Sequence, residues 1–97
     1  MTKVQIVWSR AASDELDAYY SYLLVRNVSV ADVEVERICR VVESLAAGEF
    51  DGPTFQLKTG EHVQSWPVPP LRIFYRREEG AFLVVHVHDQ RRPPIVR

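Results

Sequence analysis

One cysteine, one methionine and four glycines among 97 residues exclude several kinds of protein at once. Cys39 has no partner thiol within the chain, so a small disulfide-stapled fold is ruled out, and its place among apolar residues of a helical pattern suits a buried structural thiol. No glycine-rich phosphate loop can be assembled. Glycine, proline and serine never pool into a linker or low-complexity tract. No apolar run approaches the ~20 residues of a membrane span, and the opening MTKVQIVWSR lacks the apolar core and small-residue cleavage site of a secretion signal. Excess charge is also missing: the formal net charge is -1, which argues against broad, nonspecific nucleic-acid binding. The expectation is one soluble, cytoplasmic domain over residues 1–97, burying roughly 60 to 65% of the surface its unfolded chain exposes.

What charge there is lies unevenly. Residues 1–52 hold nine acids against five bases, and residues 53–97 hold four acids against seven bases, so the second half is the better candidate for an anionic partner.

Hydrophobic patterning predicts the elements. Residues 3–8 (KVQIVW) are β-rich and read as a first strand. Ser9 or Ser13 offers an N-cap to a helix whose apolar face is Ala12, Leu16, Tyr19, Tyr20 and Leu23, ending near Arg26 and Asn27. A second helix starts at Ser29, with Asp32 placed for a reciprocal acidic cap, and buries Ala31, Val35, Ile38, Val42 and Leu45 before Gly48 closes it. The short connection makes the two helices an antiparallel hairpin. Residues 49–60 show no sustained period and read as a crossing loop. Three strands follow: 63–68, where Pro67 implies an edge or a bulge, then 71–77 and 82–88, joined through Gly80 at positive φ. The expected fold is α+β, ordered βααβββ, a helical hairpin packed on one mainly antiparallel four-stranded sheet.

If Arg77 pairs with Phe82, strict alternation sends Leu71, Ile73, Tyr75, Phe82, Val84, His86 and His88 to the core face. Arg72, Phe74, Arg76, Leu83, Val85 and Val87 then share the other face, whose mixture of arginines and apolar groups suits a surface that something covers. The histidines of HVH point the same way, as two zinc ligands would, but His62, Asp89 and Cys39 have no diagnostic spacing as a third, so hydrogen-bonded core or rim histidines are expected and no metal or other cofactor. Trp8 and Trp66 read as core or rim aromatics, since no basic stripe interleaves them.

The stretches VWSRAASDELDAYYSYL, LRIFYR and HVHDQRRP together resemble the ParE/RelE superfamily of toxins from bacterial type II toxin–antitoxin modules, LRIFYR being similar to that family's YRIFYR. The resemblance implies one of two activities. RelE-like members cut mRNA on the ribosome, and carried onto this chain their site would be Arg72, His88 and Arg91. Val63 and Ser65 stand where those toxins keep strand lysines, and Arg97 where a terminal tyrosine would come, so groups that move protons in phosphoryl transfer are missing. ParE-like members poison DNA gyrase by binding and need no catalytic residues; WSRAASDEL and the tyrosine-rich first helix look more like that branch, although Gln64 replaces one of its arginines. The resemblance also implies a cognate antitoxin whose disordered C-terminal segment wraps the toxin, here over Arg72, Phe74, Arg76, Leu83, Val85 and Val87, with DNA reached only through antitoxin or gyrase and no membrane involved. A third reading is a non-toxic antitoxin-binding partner in operon autorepression.

Overall fold

A computed structural model describes residues 4–91. The elements are β1 Gln5–Trp8, α1 Arg10–Leu24, α2 Val28–Ala46, β2 Thr54–Gln56, β3 His62–Val68, β4 Leu71–Glu78 and β5 Ala81–Asp89. They build one sheet in the order β1-β5-β4-β3-β2, parallel between β1 and β5 and antiparallel elsewhere. The α+β class and the helical hairpin are as expected, but the sheet has five strands, not four. The extra strand, β2, has three exposed residues on the sheet edge inside the segment read as loop, too short to display a period. Lys3, the expected start of β1, and Arg97 lie outside the described residues.

Short side chains set the helix starts. Ser9, not Ser13, caps α1, its Oγ accepting from the Ala12 amide at 3.0 Å. The cap of α2 is Asn27, whose Oδ1 accepts from the Val30 amide at 3.2 Å, so the helix begins before Ser29. Asp32 is consequently past the capping position and accepts from the Tyr20 hydroxyl at 2.7 Å, joining the two helices. Gly48 follows α2 at φ 79, where a side chain would strain the backbone.

The main core lies between the helical hairpin and one sheet face. Ala12, Tyr19, Ile38, Val42 and Leu45 meet Val68, Leu71, Ile73, Tyr75, Phe82, Val84 and Val87, with Trp8 and Trp66 at the margin. Arg37 adds a polar tie, its Nη2 reaching Glu34 and the Pro69 carbonyl, both at 2.8 Å. Among the described residues no helix is long and apolar enough to cross a membrane.

A bulge between β4 and β5 changes which side chains share a face. Arg77 does pair with Phe82 and Tyr75 with Val84, yet Phe74 pairs with His86, leaving Val85 as an extra residue. Beyond it the alternation of β5 is inverted. Val87, expected on the outer face, pairs with Ile73 and is 4% exposed in the helix-side core. His88, expected toward the core, pairs with Arg72 and is half-buried on the outer side. His86 pairs with Phe74, and its buried Nδ1 stands 3.3 Å from both carboxylate oxygens of Glu15 on α1, the hydrogen-bonded histidine that was expected.

Beside the bulge, α1 completes the edge of β5. β1 stops at Trp8, and α1 takes over beyond it: the Ser9 hydroxyl donates to the Val85 carbonyl at 2.7 Å, and Glu15 accepts from the Val87 amide at 2.9 Å. Helix groups thereby satisfy the backbone that a longer β1 would have paired.

Candidate functional site

The sheet face away from the helices has two halves. In the first, Arg72 on β4 lies beside His88 on β5, and its Nη1 donates to Ser65 Oγ on β3 at 2.9 Å. On β5 the half-buried Leu83 and Val85 lie toward the other half, Leu83 opposite Arg76 and Val85 against the Phe74 cluster. Among the described residues Arg72 meets a hydroxyl and no carboxylate, unlike its neighbours on β4. A half-buried guanidinium so placed retains donors for an anionic group.

The second half is covered by the chain itself. Phe74 is 5% exposed because Leu57 and Val63 pack against it, and the Phe55 ring lies 5.5 Å from its own. Arg76 is held by Glu61 at 2.6 Å and by Glu78 at 3.4 Å. The outer face was expected to be covered, and part of the cover is the turn after β2. Leu57 and Glu61 are the residues sequence reasoning missed. The signal was Phe55 and Leu57, two apart and hence on one face of an extended chain, but too short to stand out from the loop.

The residues singled out for a RelE-like site do not converge. Arg72 and His88 are cross-strand neighbours on the outer face, whereas Arg91 grips Asp89 with two parallel bonds, Nε to Oδ1 at 2.9 Å and Nη2 to Oδ2 at 2.6 Å. Its guanidinium lies 5.7 Å from the ring centre of Tyr22 on α1, toward the helix side. The Asp89 carboxylate pushes the Arg91 pKa above its ordinary value.

Polar groups on the helix side are committed to structure. The Tyr75 hydroxyl accepts from the Gly52 amide at 2.8 Å and donates to Asp51, while Arg77 Nη2 donates to the Leu45 carbonyl at the end of α2, at 2.6 Å. A cavity of about 240 Å³ opens beside them, lined by Thr54, His62, Gln64, Tyr75, Arg76 and Arg77. Its Gln64 amide already donates to the Gly52 carbonyl at 3.1 Å. Cys39, expected to be buried, is half-buried, and desolvation, then the charge of Glu43, pushes its thiol up, which disfavours a reactive thiolate. Among the described residues no three of His, Cys, Asp and Glu come together in a metal-binding group. Apolar side chains do gather at the helical hairpin turn, where Val25 is 86% exposed and Val28, Val30 and Val33 are exposed beside it.

The comparisons agree with this architecture. No curated protein sequence matches the chain. A solved structure described as the chromosomal ParDE TA system from P. aeruginosa superposes with a TM-score of 0.74 at 19% sequence identity, covering 92% of this chain and 98% of the other, a likeness of fold. The sequence profile of the ParE toxin of the type II toxin-antitoxin system, parDE, matches residues 6–94. With nearly the whole sequence matched and the same helical hairpin on the same sheet, the chain belongs to the ParE toxin family of type II toxin–antitoxin systems.

Proposed function

We propose that this protein is a toxin that acts by binding DNA gyrase and trapping it on cleaved DNA, and that a cognate antitoxin neutralises it. It works in the cytoplasm, without a cofactor, and reaches DNA only through gyrase or antitoxin. The observation that carries the binding mode is the separation of Arg91, bonded to Asp89 on the helix side, from Arg72 and His88 on the outer face. Phosphoryl transfer needs its groups within reach of one phosphate, and these three do not share a point of attack. The alternative, a ribosome-dependent mRNA endonuclease, draws its support from the Arg72–His88 neighbourhood.

For the antitoxin, the outer face supplies the means. Leu83 and Val85 offer apolar contact, and Arg72 offers donors to a carboxylate, the combination that an ordering acidic segment needs for both affinity and register. Val87 is withdrawn from this surface because the bulge buries it.

Purified gyrase and a translation extract distinguish the readings. The expected result is inhibited supercoiling and accumulated cleaved DNA with gyrase, and intact mRNA in the extract. Cut mRNA with unaffected gyrase makes the protein an endonuclease, and no effect in either makes it a non-toxic antitoxin partner.

A further inference from the structure

The turn between β2 and β3 touches the outer face in two ways, and both reproduce what an acidic, apolar peptide would do there. Leu57 lies on Phe74, and the Glu61 carboxylate holds Arg76 at 2.6 Å. Its anchorage is slight. β2 is three exposed residues paired only with β3, and Lys58, Thr59 and Gly60 at the tip are exposed. The turn closes on itself, through the Leu57 amide to the Glu61 carbonyl and the Gly60 amide to the Leu57 carbonyl, both 2.8 Å. The turn itself is fastened to β4 by the buried Leu57 and one partly exposed ion pair, next to the Phe55 ring that β2 lays 5.5 Å from that of Phe74, and such a pair is weak against water.

We propose that the 57–61 turn is an internal stand-in for the antitoxin, displaced when the antitoxin docks. The proposal rests on the reading of the outer face as the antitoxin's surface. Arg72, Phe74 and Arg76 alternate along β4, so the two arginines are four residues apart on one face, about 13 Å at the rise of a strand. The segment that fits is extended, carries two acids at that spacing and places an aliphatic side chain between them over Phe74. Its second acid takes Arg76 from Glu61, and its aliphatic group takes Phe74 from Leu57. The turn thus covers an apolar patch of the free toxin and sets a threshold that only a segment with both features overcomes.

The test titrates the full-length antitoxin encoded beside the toxin into wild-type protein, Glu61→Gln and Arg72→Ala by calorimetry, and follows Leu57 methyl to Phe74 ring NOEs in the wild-type complex. Removing the internal competitor should tighten binding about two- to fivefold, the range a partly exposed ion pair allows, and the NOEs should vanish in the complex. Equal or weaker binding by Glu61→Gln, or NOEs that persist, overturns the displacement. The wild-type NOE measurement decides even where the variant folds poorly. If Arg72→Ala binds weakly while Glu61→Gln is neutral, only the displacement fails; if Arg72→Ala binds as tightly as wild type, the reading of the face fails with it.

Discussion

The Tyr75 hydroxyl is committed to two hydrogen bonds within the fold. It is fully buried, bonded to Asp51 and to the Gly52 amide, and its pKa is pushed up to about 12 by burial first and by the Asp51 hydrogen bond next. Asp51 is held below the usual carboxylate range by the same hydroxyl. Gly52 has to be glycine for this junction to close, because a Cβ there would sit 1.7 Å from the Ser65 carbonyl oxygen. The folded tyrosine keeps its proton above the ordinary value near 10, so its contribution is complete below pH 10 and disappears as pH rises to 12. That contribution is about 2 to 3 kcal/mol. Tyr75→Phe should cost about 1 to 3 kcal/mol at neutral pH by leaving the Gly52 amide unpaired. Urea unfolding at pH 7, 10, 11 and 12 measures both effects, and identical alkaline losses in wild type and variant would remove Tyr75 as the cause.

At the scale of the element, the bulge in β5 decides which residues belong to the core. Val87→Asp should destabilise by more than about 3 kcal/mol or prevent folding, since it places a carboxylate in the helix-side core. Val85→Asp, half-buried on the outer face, should cost about 1 kcal/mol or less. Denaturant midpoints for the two variants test this, and the opposite ranking would mean unbroken alternation. The same bulge marks how far the sequence could be read. Helix stripes, apart from the half-buried Val35, both turn glycines and the pairing of Arg77 with Phe82 were legible because they depend on local period and backbone freedom. The inversion after Val84 was not, because the groups that bond the backbone there, Ser9 and Glu15, are 76 and 72 residues away in the chain. Of the outer face, Arg72, Phe74 and Arg76 were legible from alternation along β4, whereas the cover from Leu57 and Glu61 was hidden in a turn without period.

For the whole molecule, net charge near zero hides a division between an acidic helical half and a basic strand half. Among the described residues of that half, three arginines are neutralised within the fold, Arg76 by Glu61, Arg77 by Asp51 and Arg91 by Asp89. Among the described residues Arg72, bonded to the Ser65 hydroxyl, is the arginine of that half with no carboxylate partner. Arg72→Ala should weaken antitoxin binding about tenfold or more, the worth of a charge-assisted contact, while the melting temperature moves by a few degrees at most. Wild-type affinity should also fall as salt rises, and that dependence should flatten in the variant. Calorimetry across a salt series, beside thermal unfolding, reads all three; an unchanged affinity with a large fall in melting temperature would make Arg72 a structural residue.

The strand order has a consequence for the toxin as a gene product. β5, made last among the described elements, is inserted between β1, made first, and β4. A chain cut short before Ala81 does not lose a margin of its sheet; it loses the strip that joins the two parts. Ile6 and Trp8 then have no strand to lie against, and the cap at Ser9 loses its hold on Val85. Copies that end before Ala81 should therefore fail to fold altogether, and not persist as a partly formed sheet.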